Sequence, residues 1–108
     1  MVQSNDVGAV TFEVKWLGEK NGNLQLKVEM NTHSVDLDGY DLGKLALLRD
    51  DAGKEYLPVF WDSPTGGHHR EGVLTFQITD SENQYFNLII RDVAGVEERT
   101  FHWELGAG

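Results

Sequence analysis

Apolar and polar residues alternate with a period of two in segment after segment of this chain. In "TFEVKW", Phe12, Val14 and Trp16 fall on one side and the residues between them fall on the other. Such alternation is typical of a β-strand with one buried face, because successive side chains of a strand point to opposite faces. A chain built from these segments has to pair its strands into sheets and bury one face of each sheet.

Several segments of this kind follow one another, with turn-forming residues between them. In chain order they are TFEVKW, LQLKVEM, KLALLRD, EYLPVFW, VLTFQI, YFNLII and RTFHWEL. The pair Asn21-Gly22 predicts a hairpin between the first two, and Gly53 predicts a hairpin between the third and fourth. Pro58 has no N–H, so the fourth segment is expected at a sheet edge or a bulge. Gly43 interrupts the best helical pattern, and we expect at most one short turn of helix.

Together these patterns predict the fold class. At 108 residues the chain has the size of one domain. Short strands with large inward side chains and tight turns indicate an all-β protein, a two-sheet antiparallel immunoglobulin-like sandwich of about seven strands with Greek-key connections. We expect residues 10–105 to form this domain and residues 1–9 to be a flexible N-terminal segment.

The charge balance narrows the classes of partner. The chain has 9 basic and 18 acidic residues and a net charge of -9. This charge repels nucleic acids and anionic membranes and attracts cations, metal ions included. Cysteine is absent, which excludes disulfides and thiolate metal sites. We expect no membrane span, because no apolar run approaches the roughly 20 residues required, and "MVQSNDVG" has neither region of a signal peptide.

The stretch "LQLKVEMNTHSVDLDGYDLGKLALLRDDAGKEYLPVFW" resembles the front half of small immunoglobulin-like domains in exported bacterial proteins and lipoproteins, largely uncharacterised. In that family a strand ends in Asn, a short V-x-L segment follows, and L-x-D-x-x-G-x-x-Y comes next. The matching residues here are Asn31, Val35, Leu37, Leu48, Asp50, Gly53 and Tyr56. From "GGHHREGVLTF" onward the chain resembles a narrower set of such proteins. The resemblance implies an extracytoplasmic protein, periplasmic or secreted, and brings no catalytic residues with it.

The histidines are the candidate metal ligands. If successive strands run up and down, the end of the second strand and the loop after the fourth meet at one pole of the sandwich, whereas His102 lies on an outer face nearer the other pole. Without cysteine, an imidazole site favours copper, zinc or nickel, and of these we expect copper or zinc. The predicted ligands are His33, His68, His69 and Asp36, with Glu71 and Met30 as further candidates. The alternative is that these loop histidines are solvated or bonded to the backbone.

The acidic stretch "DLDGYD" raises the question of calcium. Asp36, Asp38 and Asp41 could supply oxygen ligands, but the spacing is not that of an EF-hand, which would require Gly where Asp41 stands and Glu where Leu47 stands. An irregular calcium loop is one interpretation. The other is that these carboxylates are solvated side chains of a turn.

No sequence pattern marks an active site. The chain has no G-x-S-x-G elbow, no H-E-x-x-H helix and no phosphate-binding loop. We therefore expect a non-enzymatic binding module that takes copper or zinc, with a hydrolase held in reserve. The alternative is an accessory domain without metal whose partner is another exported protein. An exposed aromatic patch in "EYLPVFW" would favour that alternative, whereas a bulge at Pro58 could bury both faces of the segment.

Overall fold

The computed structural model describes residues 2–78 and 83–105, and most of this part of the chain is β-strand. The strands are β1 (Val2–Asn5), β2 (Val10–Lys20), β3 (Asn23–Thr32), β4 (Ala46–Asp50), β5 (Glu55–Tyr56), β6 (Phe60–Asp62), β7 (His69–Gln77), β8 (Tyr85–Val93) and β9 (Val96–Glu104). The helical segments in the described ranges are a 3-10 turn, Leu37–Gly39, and a four-residue helix α1, Leu42–Leu45. The prediction of an all-β sandwich is confirmed, whereas two short helical segments stand where at most one turn of helix was expected.

Two antiparallel sheets form the sandwich. The first has the strand order β1-β2-β3-β7-β6 and the second the order β5-β4-β8-β9. The chain therefore crosses between the sheets after β3, after β5 and after β7. Each crossing brings segments that are distant in sequence to the same pole of the sandwich.

Both predicted hairpins are present. The β2–β3 hairpin turns at Asn21 and Gly22, with φ values of 55° and 79°. The β4–β5 hairpin turns at Gly53, with φ 85°. These positive φ values explain why glycine and asparagine occupy the turns, since other side chains rarely adopt this region.

A buried carboxylate fixes the second hairpin. Asp50 is only 2% exposed, and its Oδ1 accepts hydrogen bonds from the N–H groups of Ala52 and Lys54. Its Oδ2 accepts a hydrogen bond of 3.1 Å from the hydroxyl of Tyr56. The sequence pattern L-x-D-x-x-G-x-x-Y is thus accounted for by the structure of one turn.

The strand count and the domain start differ from expectation. "EYLPVFW" forms two strands rather than one, because the chain leaves the second sheet after β5, passes Pro58 and joins the first sheet as β6. Both strands lie at sheet edges, as Pro58 predicted. In addition, Val2–Asn5 pairs with β2, so the sheet begins before residue 10 and the segment 1–9 contains a strand. Met1, residues 79–82 and residues 106–108 lie outside the described residues.

The core lies between the two sheets and consists of the inward residues of the alternating segments. Trp16 is half-buried, with its ring centroid 5.8 Å from that of Trp103. The other large members are Phe12, Leu24, Leu26, Met30, Leu48, Phe76, Phe86, Leu88 and Phe101. Within the described ranges, the structure contains no helix long and apolar enough to cross a bilayer.

Candidate functional site

The pole at which β3 ends and β7 begins gathers three of the four histidines. Asn31 of β3 is the register partner of His69 in β7, and the N–H of Thr32 donates to the carbonyl oxygen of His68 over 2.9 Å. His33 directly follows Thr32. A surface hollow of about 300 Å³ is lined by Ala9, Thr11, Asn31, Thr32, His33, His68 and His69; we call it the histidine hollow.

The three imidazoles are held differently. Nδ1 of His69 is hydrogen-bonded to Oδ1 of Asn31, an oxygen that can only accept, so the neutral ring carries its proton on Nδ1 and keeps a lone pair on Nε2. The side chains of all three, His33, His68 and His69, are exposed. In residues 2–78 and 83–105 no group of three or more His, Cys, Asp or Glu side chains is arranged to hold a metal ion. The histidines share a hollow without forming a closed ligand set.

One carboxylate fixes the loop that carries His68. Oδ1 of Asp38 accepts hydrogen bonds from the N–H groups of Gly66 and Gly67, at 2.8 and 3.1 Å. The hydrogen bond from Gly66, and to a smaller extent the one from Gly67, lowers the pKa of the Asp38 carboxyl below its usual value. The N–H of Leu37 donates in return to the carbonyl oxygen of Gly67 over 2.9 Å. The loop is thereby tied to the 3-10 turn.

The side chain of a buried arginine, Arg70, also joins this loop to the 3-10 turn. Arg70 is 8% exposed, and its Nη1 donates to the carbonyl oxygens of Leu37 and Tyr40 over 3.0 and 2.7 Å. Its Nε donates to Oγ of Ser63 over 3.1 Å, and its guanidinium lies 5.6 Å from the centroid of the Trp61 ring. Sequence reasoning missed Arg70. The alternation that buries Leu74 and Phe76 places residue 70 on the same inward face, and this was the available signal.

Two glycines allow the backbone to approach closely here. A Cβ on Gly66 would lie 2.0 Å from the carbonyl oxygen of His69. A Cβ on Gly72 would lie 2.4 Å from Cβ of Ser63 and 2.6 Å from the carbonyl oxygen of Asp62. Only glycine fits these positions, so "GGHHREG" encodes a loop of fixed shape.

Two of the three acidic residues of "DLDGYD", Asp36 and Asp41, serve as caps in the structure. Asp36 accepts a 3.0 Å hydrogen bond from the N–H of Asp38, and Asp41 accepts a 2.9 Å hydrogen bond from the N–H of Gly43. Asp36, predicted as a ligand, is not among the residues that line the histidine hollow. A carboxylate at the start of a helical turn satisfies the free N–H groups there.

The fourth histidine lies apart from the others. Nδ1 of His102 is 2.6 Å from Oδ1 of Asn87, and Nε2 is 3.3 Å from a carboxylate oxygen of Glu104. Its ring also packs against Tyr85, with centroids 5.1 Å apart. These contacts are on the outer face of the second sheet, so His102 provides a control outside the histidine hollow.

A second feature is apolar and lies beside β6. Leu57, Val59 and Phe60 are exposed by 69%, 61% and 61%, and Leu17 by 46%. The sequence left open whether both faces of this segment are buried, and they are not. Because contiguous exposed apolar residues mark contact surfaces more often than isolated ones do, this patch is a candidate binding face.

No protein-family model, curated protein or solved structure matches this chain.

Proposed function

We propose that this protein is a non-enzymatic binding module that takes copper(II) or zinc(II) at the histidine hollow. One observation carries the proposal: imidazoles from two segments far apart in sequence, at His33 and at His68-His69, line a single hollow. Imidazole is a preferred ligand of both metals. The net charge of -9 attracts cations to the surface.

The fixed shape of the loop supports the proposal. Asp38 and Arg70 hold the loop through backbone hydrogen bonds before any ligand arrives. A site that is already ordered loses less conformational entropy on binding. Asn31 orients the ring of His69 in the way that hydrogen-bond acceptors orient metal-bound histidines, leaving Nε2 for the metal.

The proposed coordination uses two imidazoles. Nε2 of His69 supplies one ligand, and the exposed ring of His33 or His68 swings in to supply the second. Rotation of an exposed side chain is inexpensive, since no packing is lost. Water completes the shell, as it does in open metal sites.

We also propose that the sandwich is immunoglobulin-like and that the protein works outside the cytoplasm. Strand order supports the first part: β2-β3-β7-β6 facing β4-β8-β9 corresponds to the A-B-E-D and C-F-G sheets of an immunoglobulin constant-type domain. The second part rests on the resemblance to exported bacterial domains.

Isothermal titration of tag-free protein with copper(II) and zinc(II) tests the metal site. We expect the wild type to bind metal. The affinity of His69→Ala should be lower by about tenfold or more, because the substitution removes one of the proposed imidazole ligands. His102→Ala is the matched control and should bind as the wild type does, as should Asp36→Ala. Absence of binding, or an equal loss in His102→Ala, would contradict the proposal.

Acidification gives a second reading of the same site. Protonated imidazole has no lone pair, so affinity should fall between about pH 7.5 and about pH 5, the range over which histidines take up a proton. The measurement is the same titration repeated at both pH values with a buffer that does not chelate the metal. Equal affinity at the two values would point to carboxylate ligands instead.

A further inference from the structure

A second hollow lies on the outer face of the first sheet, next to the apolar patch beside β6. It has a volume of about 230 Å³ and is lined by Leu17, Gln25, Phe60, Asp62, Val73 and Thr75. Three of these side chains are apolar and one is a carboxylate. The Phe60 ring is 61% exposed, so the space beside it is accessible from solvent.

The carboxylate of this hollow lacks a cation. Val73 has Asp62 as its register partner on one side and Lys27 on the other, which makes Lys27 the nearest candidate across the sheet. The Lys27 ammonium instead lies 3.6 Å from Glu29 and 3.7 Å from Glu71. Among the described residues, Asp62 therefore has no ion-pair partner.

We propose that this hollow binds an arginine side chain from a basic segment of a partner protein. The aliphatic stem packs on Leu17 and Val73, and the guanidinium pairs with Asp62 and lies over the exposed ring of Phe60. Arginine suits such a site because it combines an apolar stem, a flat cation that stacks on aromatic rings and a fork of donors for carboxylates.

The surroundings of the hollow indicate how the rest of the segment lies. Val59 and Leu57, which precede Phe60 in the chain, are also exposed apolar residues. The middle residue of β6, Trp61, is partly covered, because α1 packs against the strand there. The partner's residues next to the arginine therefore lie along Val59 and Leu57. This surface is separate from the histidine hollow and does not depend on metal binding.

Charge favours a basic partner over a second copy of the chain. Each copy carries a net charge of -9, so two copies repel each other, whereas a basic segment is attracted. A second copy would also have to bring a cation to Asp62 while the acidic groups of both chains approach. The unpaired carboxylate of Asp62 thus favours a partner segment with positive charge.

The test is an NMR titration of ¹⁵N-labelled protein with the peptide acetyl-Val-Arg-Val-amide. We expect shifts of the amide resonances of Leu17, Phe60 and Val73. The same peptide with citrulline, the neutral isostere of arginine, should bind more weakly by about two- to fivefold, the range of exposed ion pairs. Asp62→Asn should weaken the arginine peptide to a similar extent.

A matched variant separates the site from net charge. Asp6→Asn removes the same charge from an exposed residue that follows β1, at the opposite edge of the first sheet from β6, and should leave the affinity unchanged. Equal binding of the two peptides, shifts confined to other regions, or an equal loss in Asp6→Asn would overturn the proposal. So would sedimentation showing a dimer that dissociates in Phe60→Ser, since the patch would then belong to a second copy.

Discussion

At the scale of single residues, Asp38 and Arg70 do more than the histidines to fix the backbone at the pole that carries the histidine hollow. The expected up-and-down direction of successive strands was enough to predict that His33 lies near His68 and His69. The roles of Asp38 and Arg70 could not be predicted, because the hydrogen bonds that join the loop to the 3-10 turn link atoms 28 to 33 residues apart. Local periodicity carries no information about such contacts.

Asp38→Ala should loosen the loop that carries His68 without unfolding the protein. The change removes the acceptor of the Gly66 and Gly67 N–H groups, so hydrogen exchange at these amides should be faster by a factor of about two to ten. Asp36→Ala, which removes only the cap on the Asp38 N–H, is the control. Unchanged exchange in Asp38→Ala would mean that the carboxylate does not hold the loop.

The two hydrogen bonds from Gly66 and Gly67 to Asp38 also make the order of the loop dependent on pH. The pKa of Asp38 is lower in the folded protein than in the unfolded chain, where it is about 3.9. The stabilisation of the loop by Asp38 is therefore fully present above the unfolded-chain pKa. It is lost as the pH falls through the lower folded-state pKa. Exchange at Gly66 and Gly67, corrected for intrinsic rates, should therefore speed up only at strongly acidic pH. This lies well below the range in which metal affinity is expected to fall.

At the scale of elements, the sequence predicted strand faces better than strand boundaries. The period of two identified the buried sides of β2, β3 and β7. It could not show that the chain changes sheets at Pro58, since a strand and a crossing segment with alternating residues look alike. The strand Val2–Asn5 was missed because its burial alternates only weakly at a sheet edge.

Gly72→Ala should disrupt the pairing of β6 with β7. Its new Cβ would overlap Ser63 and the carbonyl oxygen of Asp62, so we expect a loss of about 3 kcal/mol in the free energy of unfolding by urea. Gly53→Ala is the matched control: its Cβ has open space and suffers only from φ 85°, at about 1 kcal/mol. A loss in Gly72→Ala no larger than in Gly53→Ala would show that the loop yields to the extra atom.

At the scale of the whole molecule, alternation of apolar residues was enough to predict a sandwich because each sheet has to bury its apolar face. Strand order and the positions of the two hollows depend on three crossings between sheets. The crossings are set by contacts between distant residues, which explains why the fold class was readable and the geometry of the site only partly so.

The core itself can be tested at two rings from opposite sheets. Phe76 of the first sheet is fully buried and Trp103 of the second is 2% exposed, so replacing either with alanine leaves a cavity between the sheets. Phe76→Ala and Trp103→Ala should each lower the free energy of unfolding by about 3 to 5 kcal/mol. His102→Ala, next to Trp103 but on the outer face, should change it by about 0.5 kcal/mol or less. Urea denaturation followed by far-UV circular dichroism measures all three. Stability retained in both ring variants would mean that the two sheets do not share one core, because a cavity in a shared core destabilises the molecule as a unit.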